Sequence, residues 1–61
     1  MNLQDLINKS TRYVTATLKE YGIVHRTVEI SGHKLIVSRD VIPERVNLVF
    51  ANDRLVSYTY G

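Results

Sequence analysis

The sequence predicts a small α+β domain in which one helix packs on a small β-sheet. In the first third of the chain, apolar residues recur at the spacing of an amphipathic helix. After Gly22 the pattern changes to alternating β-branched and polar residues, which is typical of strands. The chain has 61 residues, of which 44% are hydrophobic. We therefore expect residues 1–61 to form one domain around a single small core.

The helix is predicted from a set of apolar positions in the first third of the chain: Leu3, Leu6, Ile7, Val14, Leu18 and Tyr21. The pattern fits two arrangements. One is a continuous helix from Leu3 to Tyr21. The other is a short turn over residues 6–9, followed by a helix with Ser10 as its N-cap. Serine is favoured at that position because its hydroxyl accepts a hydrogen bond from a free N–H of the first turn.

The end of the helix is predicted at Gly22, since glycine adopts the left-handed conformation of the C′ position at little cost. Lys19 lies in the last turn, where a cation interacts favourably with the helix dipole. Ile23 then falls at C″, where a Schellman motif places an apolar contact with the helix. Both arrangements of the N-terminal half share this boundary.

The first strand is predicted over residues 24–30, where β-branched and polar residues mix. Ser31-Gly32 interrupts it and leaves two interpretations of residues 33–42. In one, Ser31-Gly32 is a two-residue hairpin turn and the next residues form another strand of a meander. In the other, residues 33–42 are a long connection between two strands, which is uncommon in a small domain unless the loop is functional.

Two further strands are predicted as a hairpin close to the C-terminus. Residues 44–50 alternate, which places Val46, Leu48 and Phe50 on one face. Residues 51–54 form a turn rich in Asn and Asp. Residues 55–60 then return as the final strand.

Residue types that usually carry catalysis are few and dispersed. His25 and His33 have no neighbouring carboxylate motif and no metal-ligand spacing such as HxH or HExxH. Ser10 and Ser38 lack the G-x-S-x-G context of a serine nucleophile. The chain has no cysteine and no glycine-rich phosphate loop. We therefore expect a protein that is not an enzyme and that uses no metal ion and no cofactor.

The eight basic and six acidic residues are scattered along the chain and give a net charge of +2. Scattered charges are typical of a solvated surface, so no nucleic-acid partner is expected. A weak nucleic-acid interface would have to use Lys9, Arg12, Lys19 and Arg26. No apolar run is long enough to span a membrane. The lack of cysteine and of a signal-peptide pattern favours the cytoplasm but leaves localisation open, because a signal peptide is removed from a mature protein.

The segment from Val37 to Leu48 reads VSRDVIPERVNL. It resembles the reactive-site loop and supporting strand of the potato inhibitor I family of serine protease inhibitors and its microbial relatives. Val37 and Ser38 match the family's Val-Thr. Arg39 falls at P1, the residue before the peptide bond that a protease attacks, and Asp40 matches the acidic P1′ residue.

The resemblance continues on both sides of this loop. Arg45, Val46 and Asn47 match the family's supporting arginine, the apolar residue after it and the following Arg/Asn position. At residues 41–42 the chain has Val-Ile where the family has Tyr-Arg. The sequence LINKS at residues 6–10 is similar to the family's Leu-Val-Gly-Lys-Ser lead into its helix. The resemblance therefore covers about Leu6 to Gly61.

The resemblance implies a mixed sheet in which strand 24–30 lies parallel to strand 44–50, with a long exposed loop between them. If Ser31-Gly32 were a true hairpin turn, we would expect this pairing to be antiparallel and the loop interpretation to fail. The implied activity is substrate-like inhibition of a serine endopeptidase. Arg39 at P1 implies a trypsin-like preference, because a guanidinium suits an acidic S1 pocket.

The site residues implied by the resemblance form two groups. The reactive-site loop comprises Val37, Ser38, Arg39, Asp40 and Val41, and its supports are Arg45 and Asn47. In this scheme Arg45 donates hydrogen bonds to Asp40, and Asn47 adds a bond to the loop backbone. Pro43 restricts Ile42 to extended conformations where the loop ends.

These residues also have purely structural interpretations. Arg39-Asp40 is then an exposed turn pair, Arg45 a solvated side chain on an edge strand, and Pro43 the first residue of a strand. The corresponding alternative function is a small protein–protein interaction or assembly module. Such a module would present a sheet edge or its Tyr-rich last strand and would have no inhibitory activity. In either case we expect a monomer or a weak homo-oligomer.

Overall fold

The computed structural model describes all residues from Met1 to Gly61 and contains one α-helix on a four-stranded sheet. The elements are a 3₁₀ turn at Leu3–Leu6, α1 at Thr11–Glu20, β1 at His25–Ile30, β2 at His33–Lys34, β3 at Val46–Ala51 and β4 at Arg54–Tyr60. The strand order across the sheet is β2-β1-β3-β4. The predicted α+β class, with a helix packed on a mixed sheet, is confirmed.

The helix begins after Ser10, whose Oγ accepts a hydrogen bond from the Tyr13 N–H at 3.2 Å. The predicted N-cap is therefore correct. The predicted short turn over residues 6–9 is also present, closed by a hydrogen bond from the Lys9 N–H to the Leu6 carbonyl at 3.1 Å, and the 3₁₀ turn at Leu3–Leu6 precedes it. A continuous helix from Leu3 is excluded because Asn8 has a φ of 70°. The backbone there pairs with β4 instead, since the Asn8 N–H donates to the Leu55 carbonyl at 2.8 Å and the Leu55 N–H donates to Lys9 at 3.0 Å.

The end of α1 has the predicted Schellman geometry. Gly22 has a φ of 68°. Its N–H donates to the Lys19 carbonyl at 3.1 Å, and the Ile23 N–H donates to the Leu18 carbonyl at 2.9 Å. Ile23 packs against the core, as the C″ position of this motif requires.

Strand β1 has a neighbour on each of its edges, and this overturns one expectation. Ser31-Gly32 is a true two-residue hairpin turn, with φ values of 49° and 81°. It pairs β1 antiparallel with β2. On its other edge β1 pairs parallel with β3, from His25 opposite Val46 to Ile30 opposite Phe50. The expectation that a hairpin at Ser31-Gly32 would make the second pairing antiparallel was wrong, because β2 uses one hydrogen-bonding edge of β1 and β3 uses the other.

Strands β3 and β4 form the predicted hairpin. Asn52 and Asp53 have φ values of 51° and 61°, the type I′ geometry that matches the twist of antiparallel strands. Strand β3 begins at Val46, later than the predicted residue 44, because the preceding residues form a turn. In that turn the Arg45 N–H donates to the Ile42 carbonyl at 2.9 Å.

The core lies between α1 and one face of the sheet. Its seven buried side chains are no more than 3% exposed: Leu6, Val14, Leu18, Val46, Leu48, Phe50 and Leu55. The predicted inward face of β3 is thus correct. Because successive side chains of a strand point to opposite faces, Asn47 lies on the face away from this core, beside Arg26 of β1. No helix of the protein combines the length and the apolar character needed to cross a bilayer.

Candidate functional site: an exposed loop held by two arginines

The chain leaves the sheet after Lys34 and rejoins it at Val46. The loop begins with a hydrogen bond from the Leu35 N–H to the Val28 carbonyl, at 2.9 Å. Residues 37–41, the predicted reactive-site segment, are all exposed. Pro43 lies in the turn between Ile42 and Arg45 that closes the loop, at the second position of that turn, which proline favours. It therefore does not begin a strand.

Arg45 lies beneath this loop and is only 7% exposed. Its Nη2 donates to the Asp40 carbonyl oxygen at 2.8 Å, and its Nε donates to the Gly61 carbonyl at 3.1 Å. Its Nη1 lies 3.5 Å from the Asp40 Oδ2. The contact predicted between Arg45 and Asp40 is therefore present. The interpretation of Arg45 as a solvated side chain is excluded by its burial.

Asp40 is the centre of a small polar network at the surface. Its Oδ1 accepts a hydrogen bond from the Ser38 hydroxyl, and its Oδ2 faces Arg45. The Ser38 hydrogen bond lowers the pKa of Asp40 most; partial desolvation opposes this, and the charges of Arg45 and Arg26 lower it further. Asp40 is consequently a carboxylate at neutral pH. Its two oxygens link Ser38, the residue before Arg39, to Arg45.

A second arginine reaches the same loop from β1. The Nη1 of Arg26 donates to the Ser38 carbonyl at 3.0 Å and contacts the Ser38 Oγ at 3.4 Å. Its Nε donates to the Asn47 Oδ1 at 2.7 Å. The sequence placed Arg26 only among the basic residues of a possible nucleic-acid interface. Arg26 reaches the site because the parallel register of β1 and β3 places it beside Asn47.

Asn47 does not make the predicted hydrogen bond to the loop backbone. Its Oδ1 accepts from Arg26, and its Nδ2 lies 3.4 Å from the Gly61 carbonyl. The reason is geometric, because the amide is directed along the sheet towards its neighbour on β1. Asn47 thus contacts the loop only through Arg26, and the expected direct support is corrected to an indirect one.

Arg39 is the one loop arginine whose side chain makes no hydrogen bond or ion pair within the protein. It is exposed, whereas the carbonyls before and after it are both held by arginines. Apolar side chains on either side are also presented to solvent, with Ile36 fully exposed and Val41 75% exposed. The loop therefore offers a free cation with apolar neighbours on a fixed backbone.

The two histidines lie outside this network. The Nδ1 of His25 is 2.7 Å from the Ile23 carbonyl, and His33 is exposed in β2. Nowhere do three histidine, aspartate or glutamate side chains come together in a group that could hold a metal ion. Compared with protein-family models, with curated proteins and with solved structures, the chain gave no match. Function is therefore inferred from the geometry of the loop.

Proposed function

We propose that this protein is a substrate-like inhibitor of a serine endopeptidase with trypsin-like preference, and that it belongs with the potato inhibitor I family. The segment Val37–Val41 is the reactive-site loop, and Arg39 occupies P1. The observation that carries the proposal is the buried guanidinium of Arg45, which holds the Asp40 carbonyl at 2.8 Å directly after the Arg39–Asp40 peptide. Arg39 itself stays free to enter the pocket of a protease.

Rigidity decides whether such a loop is an inhibitor or merely a substrate. A loop that is already ordered loses little conformational entropy on binding, so a small interface can be tight. Many small proteins obtain this order from disulfides. This chain has no cysteine, so hydrogen bonds have to provide the order, and a planar guanidinium in contact with a carbonyl and a carboxylate suits this role.

The same contacts favour resynthesis of a cleaved bond. If a serine protease cleaved the Arg39–Asp40 peptide, the acyl group of Arg39 would pass to the catalytic serine of the enzyme, and the new amine, which takes up a proton, would be on Asp40. Arg45 would still hold that residue through its carbonyl and its carboxylate. The amine would therefore stay close to the acyl group on Arg39, and closing the bond would require little loss of entropy. Slow net hydrolysis follows from this proximity.

Titration of trypsin with the purified protein, alongside subtilisin and chymotrypsin, tests the proposal. We expect inhibition of trypsin by the wild type and loss of that inhibition in Arg39→Ala. Circular dichroism should show an unchanged fold in this variant, because Arg39 has no partner within the protein. The matched control is Arg12→Ala, which removes an exposed arginine of α1 and should inhibit like the wild type. Rapid digestion of the wild type without inhibition of any of the three enzymes would contradict the proposal.

A second candidate function is the interaction module that uses a sheet edge. It is favoured by β4, whose outer edge is paired with residues 8–10 only at its start, at Arg54 and Leu55, and which carries Val56 and Tyr60 at 50% and 60% exposure. An exposed strand edge can accept a strand from a partner. A partner that binds Arg39→Ala as well as the wild type, but fails to bind Val56→Lys, would support this module and not the inhibitor.

A further inference from the structure

Two arginines bracket Arg39, one on β1 and one directly before β3. Arg26 of β1 holds the Ser38 carbonyl at 3.0 Å, and Arg45, which directly precedes β3, holds the Asp40 carbonyl at 2.8 Å. These are the two carbonyls on either side of Arg39 in the chain. Each side of the exposed residue thus has its own cation, and the two cations come from different elements of the sheet.

Asn47 explains why Arg26 is directed at the loop. Arg26 and Asn47 are register partners in the parallel pair, so both side chains leave the same face of the sheet. The Asn47 Oδ1 accepts from the Arg26 Nε at 2.7 Å, which leaves Nη1 free to donate to Ser38. Asn47 is itself only 9% exposed. One planar guanidinium can make both bonds at once, whereas a lysine ammonium has no such fork.

We propose that Arg26 and Asn47 act as one positioning pair, in which Asn47 orients Arg26 and Arg26 anchors the loop on the N-terminal side of Arg39. Arg45 anchors the other side. The effect of the pair on proteases depends on the proposed inhibitor function, but its effect on loop order does not. Residues 41–42, between Arg39 and Arg45, are Val-Ile and add no third guanidinium to the loop. The second cation therefore comes from β1.

The first experiment measures loop order without a protease. ¹⁵N relaxation gives the order parameters of the Arg39 and Asp40 amides in the wild type and in Arg26→Met, with Arg12→Met as the control for loss of one exposed arginine. We expect values of about 0.85 in the wild type and the control, and below about 0.6 in Arg26→Met. The amides of β3 should not change. Loop amides that stay ordered in Arg26→Met would overturn the proposal. If that variant does not fold, Arg26→Lys, which keeps the charge and the aliphatic stem, replaces it with the same expectation.

The second experiment exchanges the pair. The double variant Arg26→Asn/Asn47→Arg keeps the composition and the net charge and moves the guanidinium across the register to β3. We expect loop order to return, because the two positions are adjacent on one face. A folded exchange variant whose loop stays mobile would show that a guanidinium and an amide on this face do not anchor the loop as a pair, and would overturn the joint role.

The inhibition constant for trypsin separates this proposal from the function on which it rests. We expect Arg26→Met to weaken inhibition by about tenfold, since it removes one charge-assisted hydrogen bond at a partly exposed site. The exchange variant should recover most of that loss. A mobile loop in Arg26→Met, together with a wild type that inhibits no protease, would uphold the anchor and reject the inhibitor function. Unchanged inhibition and unchanged loop order would reject the anchor alone.

Discussion

The contacts of Arg45 lead to a quantitative prediction for the variant Arg45→Met. Methionine keeps much of the aliphatic stem but removes the guanidinium, which makes two well-formed hydrogen bonds, to Asp40 at 2.8 Å and to Gly61 at 3.1 Å. Hydrogen bonds to charged groups contribute about 1.5–3 kcal/mol each. The ion pair with the exposed Asp40 carboxylate adds little, because solvent screens it. Both carbonyl acceptors lie close to solvent and can regain water, so the lower end of the range applies.

We therefore expect Arg45→Met to lower the free energy of unfolding by about 2–4 kcal/mol. A chain of this length has a total stability of about 3–9 kcal/mol, so the loss is a large fraction of the total. For a domain of this size it corresponds to a fall in Tm of about 15–30 °C. Urea denaturation followed by circular dichroism measures the difference, and an unchanged m-value would show that the change lies in stability and not in the compactness of the unfolded state.

Arg12→Met is the matched control, because it makes the same substitution at an exposed arginine of α1 that has no side-chain partner. Its free energy of unfolding should change by less than about 0.5 kcal/mol. If Arg45→Met were as stable as this control, the cost of desolvating the guanidinium would equal the energy of its hydrogen bonds. That result would refute Arg45 as the element that orders the loop.

Two further predictions concern Asp40 and Gly22. The folded-state pKa of Asp40 lies below its ordinary value of 3.8, so the ionised carboxylate stabilises the loop above that value and the stabilisation is lost as the pH falls through the folded pKa. An NMR titration should show this midpoint below 3.8, and Asp40→Asn should remove the associated acid dependence of unfolding; a midpoint at or above 3.8 would contradict the network. Gly22→Ala should lower stability by about 1 kcal/mol through the left-handed backbone alone, because a Cβ there would meet no atom within 4 Å. Thermal unfolding measures this loss, and an unchanged Tm would show that the helix end relaxes.

Local chemistry let the sequence predict much of the framework. Ser10 caps α1 and Gly22 ends it because the hydroxyl and the absent Cβ each satisfy a requirement of the adjacent backbone. Alternation identified the buried face of β3, and the Asn-Asp pair identified the turn before β4. Each signal lies within a few residues of the structure that it predicts, so no knowledge of the rest of the chain is needed.

Long-range pairing was the part that local patterns could not decide. From the sequence, a hairpin at Ser31-Gly32 and a parallel pairing of β1 with β3 were treated as alternatives. Both occur in the structure, because β2 pairs with one edge of β1 and β3 pairs with the other.

The loop from Val37 to Leu48 shows the same division between local and tertiary information. Its residues suggested an exposed segment with Arg39 at its centre and Arg45 beneath it, because those residues are close together in the chain. Its second arginine contact comes from Arg26, which is 12 residues away from Ser38 and 21 from Asn47. Only the register of two parallel strands brings these three residues together. Register depends on which face of each strand the fold buries, and this involves residues far apart in the chain. For that reason the sequence by itself predicted the exposed loop, whereas only the tertiary structure showed which side chains hold it.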